Sequence, residues 1–306
     1  MDGRTTTTKP RATVLVTHNG RYGDLFWALP TIRALSRRIQ QPIDLIIPGE
    51  FGSIRDLLLQ QDYLGQVLYD GAWEQGQREF PWKAGLDQRY AWVIDLGYRG
   101  WPEPNVVRHT LDTLNEALIT QGMRTHEEKA PHRPLPGIHL HDSLLGFTYD
   151  DLDLAIPWIT QDRLPPFKSA QHPKVALGFS DVHFELKYGL AQLLLRSDLP
   201  GTLARIGQSP RWDVAYATSG ADWTTAVWSL QGSTVFLGCC SALHVLAVAT
   251  GTPVVLMEPM EARWNPVFYP LGDRGPQVLL VRGVDDRPTF DSRHVIDALR
   301  PFLQET

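Results

Sequence analysis

Short apolar runs rich in β-branched residues recur along this chain, each followed by a turn and then by apolar residues at helical spacing. Residues 13–17 (TVLVT) have the character of a strand buried on both faces. A turn follows, HNGRYG at 18–23, and then Leu25, Leu29, Ile32, Leu35 and Ile39 mark one face of a helix. Pro30 is expected in the first turn or two of that helix, where a missing N–H costs least. Strands at 43–48 (IDLIIP), 67–69 and 92–96 (WVIDL) and helices at 53–59 and 110–121 continue the pattern. It fades between 124 and 173, where seven prolines fall, and a linker is expected at 164–173. It then restarts, with strands at 175–179, 214–217, 234–237, 253–257 and 278–281 and helices at 190–196, 223–230, 243–250 and 293–303. An α/β chain of 306 residues is long for one core. Two doubly wound domains are therefore expected, residues 1–165 and 166–306, with the closing helix free to pack back on the first. Two such domains imply a cleft between them, the favoured place for a ligand.

Composition removes several classes. Apolar residues make up 43% and charged residues 21%, which excludes a disordered or fibrous chain. The 29 basic and 34 acidic residues divide as 18 and 21 before residue 170, then 11 and 13 after it, so the halves carry −3 and −2. Neither is the basic surface that non-specific nucleic-acid binding needs. The longest mostly apolar run, residues 245–257, is interrupted by Gly251 and Pro253 and is too short to span a bilayer. No secretory signal is read at the N-terminus. The adjacent Cys239 and Cys240 make no disulfide framework, so a cytoplasmic protein is expected, with a peripheral place at the inner membrane surface compatible.

Three segments resemble the ADP-heptose:lipopolysaccharide heptosyltransferase family, of which the chain reads as a divergent member. VLVTHNGRYGDLFWALPTIRALSRR is similar to its opening strand, Gly-Asp turn and helix. YAWVIDLG resembles an internal strand, and TVFLGCCSALHVLAVATGTPVVLMEP its C-terminal signature. The resemblance covers about a third of the chain, in order. It implies the GT-B fold: two Rossmann-like domains with a cleft, the acceptor on the N-terminal side and a nucleotide-sugar on the C-terminal side.

Asp24 matches the aspartate taken as general base in that family; a carboxylate leaving such a turn can accept the acceptor hydroxyl's proton. Capping of the helix that begins at Leu25 is its structural alternative. His18, Asn19, Gly20 and Gly23 form the acceptor-side turn. In the second half, the strand-to-turn-to-helix layout at 238–244 aims backbone N–H groups at an anion. Ser241, Ala242 and Leu243 are the donor-phosphate candidates, joined by Lys187 and by Ser180 in the loop after the strand at 175–179. The signature's acidic residue aligns with Cys240 and its next glycine with Ala242; its histidine falls on Val245, one residue after His244. One residue is a rotation of about 100°, so His244 is either a phosphate-side residue on a shortened turn or a satisfied core residue. Met257 and Glu258, after the PVVLM strand, and Trp264 in the following loop are the nucleoside candidates.

Asp151 and Asp153 read as a solvated acidic run rather than a metal motif, and His126, His132, His139 and His141 fit no zinc spacing. No cofactor and no metal is expected. The expected activity is an inverting, metal-independent transfer from a nucleotide-diphosphate sugar to a hydroxyl of a glycan or lipid-linked acceptor. A hydroxymethylated DNA base is the alternative acceptor. A nucleotide-sugar epimerase and a non-catalytic nucleotide-sugar-binding module are the alternatives of other classes.

Overall fold

The computed structural model describes residues 12–18, 22–70, 89–90, 92–96, 159, 175–178, 214–217, 223–239, 241–258, 278–282 and 292–303. They divide into two compact units. One holds Met1–Gly20 and Ala28–Asp153, the other Arg21–Trp27 and Leu154–Thr306. The linker expected at 164–173 and the helices expected at 110–121 and 190–196 lie outside the described residues.

The first unit is built on four parallel strands: β1 (Val14–Thr17), β2 (Ile43–Pro48), β3 (Leu64–Asp70) and β4 (Trp92–Asp95), in the order β3-β2-β1-β4. This is how a doubly wound sheet begins, with its switch point between β1 and β4. Helix α1 (Tyr22–Ile39) follows β1. It starts a turn earlier than its apolar stripe announces, so Pro30 is its ninth residue, in the third turn. Proline has no N–H, so the bond that residue 30 would make to the Phe26 carbonyl is missing from the helix ladder. The division between the units falls close by, after Trp27.

Where one helix is expected at 53–59, a 3₁₀ segment (Gly49–Ile54) runs into a five-residue α2 (Arg55–Leu59). A three-residue repeat brings Phe51 and Ile54 to the same side, and both are buried.

A buried carboxylate ties this sheet together. Asp44, 3% exposed, sits at a register shift between β2 and β3. Its Oδ1 accepts the Gln66 N–H at 2.7 Å, and its Oδ2 accepts the Tyr90 hydroxyl at 2.7 Å. Gly65 makes room for this, because a Cβ there would overlap Asp44 Oδ1. The carboxylate thus takes up a ladder donor displaced by the irregularity and anchors the residue that leads into β4.

The second unit has five parallel strands: β5 (Val175–Gly178), β6 (Val214–Tyr216), β7 (Val235–Cys239), β8 (Val254–Glu258) and β9 (Val278–Arg282). Their order is β6-β5-β7-β8-β9, so the chain reverses its direction of winding between β5 and β7. Helices cover both faces. On one, Val175, Leu177, Val235, Leu237, Val255 and Met257 meet Val295 and Leu299 of α5 (Ser292–Leu303). The closing helix therefore packs on its own sheet. On the other lie α3 (Trp223–Gln231) and α4 (Ala242–Thr250), packed together. Gly251, in the left-handed region at φ 86°, ends α4, and the Thr252 hydroxyl bonds the Leu230 carbonyl of α3 at 2.8 Å.

Removing the Tyr90 hydroxyl leaves one oxygen of a buried carboxylate without its donor. Tyr90→Phe is expected to lower unfolding free energy by about 1–3 kcal/mol, read as a lower urea midpoint at unchanged slope.

Candidate functional site

In a parallel α/β sheet, ligands bind beyond the carboxyl ends of the strands at the point where strand order reverses. In the second unit that point lies between β5, which ends at Gly178, and β7, which ends at Cys239. The segment that leaves β7 there is the expected phosphate turn. The strand ends are unusually thin. A Cβ on Gly178 would overlap the Phe236 ring, and one on Gly238 would overlap both that ring and the Gly178 carbonyl. Only glycine pairs at this register let Phe236 lie under the ends of both strands. The Cys239 thiol, buried, donates to the same Gly178 carbonyl at 3.9 Å.

Ser241, with extended backbone (φ −157°, ψ 171°), is the N-cap of α4. Its N–H donates to Nδ1 of His244, three residues on, at 2.9 Å. Ser241 and His244 have the layout of a capping box, with the hydroxyl turned toward the N3 amide and the N3 ring toward the N-cap amide. The ring half meets hydrogen-bond geometry; the Ser241 hydroxyl oxygen is buried and stops short of it. His244 is 1% exposed, and burial pushes its pKa down to about 3. Accepting at Nδ1 is a role that only the neutral ring can play, with the proton on Nε2. The His244 ring occupies the Ser241 amide, and Ala242 and Leu243 supply first-turn N–H groups outside that bond.

The other half of the site comes from far away in sequence. Residues Arg21–Trp27, which carry the Gly-Asp turn, belong to the same compact unit as α4. A Cβ on Gly23 would lie 3.6 Å from the Ala242 Cα and 3.8 Å from its amide nitrogen. Asp24 is the third residue of α1, inside the first turn rather than at the position before the helix. Tyr22 and Phe26 both pack on Trp223 of α3, at ring-centroid distances of 4.7 and 5.3 Å. Trp223 is a residue that sequence reasoning missed; its only signal was membership of a helix.

The remaining candidates are distributed as follows. His18 is buried just after β1, and its N–H donates to the Ile46 carbonyl at 3.1 Å. Met257 is 1% exposed, with its side chain in the core beneath α5. Glu258 ends β8, next to the end of β7. Asn19, Gly20, Ser180, Lys187, Cys240 and Trp264 lie outside the described residues, as do Asp151, Asp153 and the histidines of 126–141. Among the described residues no three His, Cys, Asp or Glu side chains gather as a metal set, and no helix is long and apolar enough to cross a membrane.

The His244 ring makes stability depend on pH. The unfolded ring takes up its proton near its ordinary value of 6.5, the folded ring only near about 3. As pH falls through that window the unfolded state binds more protons, so this contribution is intact above 6.5 and is lost toward pH 3, at up to about 1.4 kcal/mol per pH unit. His244→Gln keeps an acceptor at N3 without the titration. Its unfolding free energy is expected to fall less steeply than the wild type's between pH 6.5 and 4 in urea titrations.

No protein-family model and no curated protein matches the chain. Solved structures do match. ADP-heptose LPS heptosyltransferase II of E. coli is 14% identical, with 95% of this chain and 98% of that one covered at a TM-score of 0.50. E. coli heptosyltransferase WaaC with ADP is 10% identical, with 94% and 97% covered, also at 0.50. At these identities the likeness is one of fold: the described residues form parallel α/β sheets, and the chain has the fold of these two heptosyltransferases.

Proposed function

We propose that the chain is a GT-B glycosyltransferase that moves a sugar from a nucleoside-diphosphate donor to an acceptor hydroxyl with inversion and without a metal. The observation that carries this reading is the approach of Gly23 to the backbone of Ala242. It brings the first turn of α1 against the first turn of α4, so two helix N-termini converge. Each presents partial positive charge. Side by side and empty they repel; an anion between them relieves the repulsion and is held by amides that need no reorganisation. A diphosphate leaving group is such an anion. Solved structures of the same fold include a heptosyltransferase with ADP, which supports a nucleoside diphosphate as the occupant.

In this reading the two halves are the acceptor and donor sides of an interdomain cleft. The amides of Ala242 and Leu243 take the donor phosphates, with Lys187 and Ser180 as further candidates after β5; the Ser241 hydroxyl oxygen is buried toward the His244 amide and leaves that role to them. Glu258 and Trp264 are the candidates for the nucleoside. The Met257 side chain is in the core and leaves that role to its neighbours. The Asp24 carboxylate takes the proton of the acceptor hydroxyl as its oxygen attacks the anomeric carbon. The bond from that carbon to the diphosphate oxygen breaks, and the nucleoside diphosphate leaves with the electron pair. His244, neutral across the physiological range, shapes the turn rather than adding a charge to it.

The test is a screen of nucleotide-sugars against glycan, lipid-linked and hydroxymethylated-DNA acceptors, scored by released diphosphate and by product mass. One donor–acceptor pair is expected to give a product heavier by one glycosyl residue. Asp24→Asn is then expected to lower kcat by about 10²–10⁴-fold, the usual worth of a general base, with nucleoside-diphosphate affinity retained. Full activity in Asp24→Asn would remove the base assignment.

A further inference from the structure

We propose that Trp223 is a positioning residue for the candidate base. It clasps the first turn of α1 through Tyr22 and Phe26 and so holds that turn in register with the amides that open α4. The inference rests on the glycosyl-transfer reading for its consequence, though not for its geometry.

Tyr22 and Phe26 are four residues apart, so they share one face of α1. Both rings meet the same indole: Tyr22 tilted at 46° and Phe26 edge-on at 73°, within the distances at which aromatic pairs attract. Trp223 is 3% exposed and is the first residue of α3. Asp24 stands midway between the two clasped residues, at a register position about half a turn round the helix from each. The clasp therefore grips the turn by one side and leaves the Asp24 position outside the grip.

The turn needs an external anchor for two reasons. Gly23, which lies against α4, has no side chain with which to interlock; a Cβ there would stand 3.6 Å from both the Ala242 Cα and the Val245 Cγ2. Further along, Pro30 removes the helix bond to the Phe26 carbonyl, so the first turns are tied to the rest of α1 by one bond fewer. The aromatic contacts supply a side-chain grip inside the same compact unit as the phosphate turn. The geometry between base and leaving group is then set within one packed body rather than by the length of α1. A displacement of about 1 Å at such a site can cost on the order of 100-fold in rate.

The test compares the full chain with Trp223→Leu, Trp223→Phe and Tyr22→Leu. Backbone amide exchange is followed at residues 26–29, where helical bonds from the clasped turns are made, and at β7 as a reference. In Trp223→Leu, exchange at 26–29 is expected to rise about 10-fold, as local opening becomes easier, with β7 unchanged. With the donor and acceptor found in the screen, kcat is expected to fall about 10–100-fold, while ADP and UDP affinities by calorimetry fall by no more than about 3-fold, since the Ala242 and Leu243 amides stay in place. Trp223→Phe, which keeps a ring, is expected to restore most of both exchange protection and kcat. Unchanged exchange in Trp223→Leu overturns the proposal. So does a parallel loss of kcat and diphosphate affinity that Trp223→Phe fails to rescue, the signature of a merely structural tryptophan. If Trp223→Leu does not fold, Tyr22→Leu, which removes a half-buried ring from the same clasp, carries the same expectations. A wild type that turns over no donor counts against glycosyl transfer, while the exchange measurement still decides the clasp.

Discussion

The second unit depends on one backbone approach: Gly23 of the first α1 turn against Ala242 at the start of α4. A Cβ at Gly23 would already stand at contact distance, 3.6 Å, from the Ala242 Cα and the Val245 Cγ2. The partial positive charges of the two helix ends add there, which is why an anion is proposed between them, and the third residue of α1 is an aspartate. That single contact links a turn near the chain's beginning to one more than 200 residues later. It also explains why the first turn of α1 belongs with the second sheet rather than with the strand it follows.

In each unit, a buried polar group is used to hold backbone. Asp44 takes an amide and a phenol across an irregular ladder, and His244 takes the amide of its own helix cap. Both sit where a displaced or terminal N–H would otherwise be orphaned, and both are nearly inaccessible. The paired glycines at the ends of β5 and β7 do the complementary work. By carrying no side chain they let Phe236 fill the space beneath the turn. The turn that leaves β7 therefore rests on a packed floor and is shaped by a neutral imidazole.

Much of the fold was legible in order. Continuous β-branched runs such as IDLIIP and PVVLM mark strands buried on both faces, because such strands need no polar alternation. The stripe from Leu25 to Ile39 marks α1 for the same reason, burial at helical spacing. What failed were the edges. Tyr22 and Gly23 carry no helical signal, since their partners, Trp223 and Ala242, are tertiary. The apolar run predicts only 67–69 of β3, because Gly65 and Gln66 interrupt it, although both serve the Asp44 latch. From sequence, His244 fits two roles. A histidine at N3 of a serine-capped helix was the available signal for a third, that of a local cap, because its ring can reach back to the N-cap amide.

By itself the sequence determined the class of architecture, the strand and helix order, and the two turns where chemistry would be sought. These depend on local periodicity and on glycine, serine and aspartate at strand ends, properties that a chain carries with it. Tertiary structure decided which turns meet and what holds them. Phe26, Tyr22 and Trp223 form one cluster, and Gly23 lies on Ala242, because the second unit buries the first turn of α1 against α3 and α4. Contacts between residues some 200 positions apart leave no periodic trace, since their energy comes from packing that exists only once the second unit is assembled.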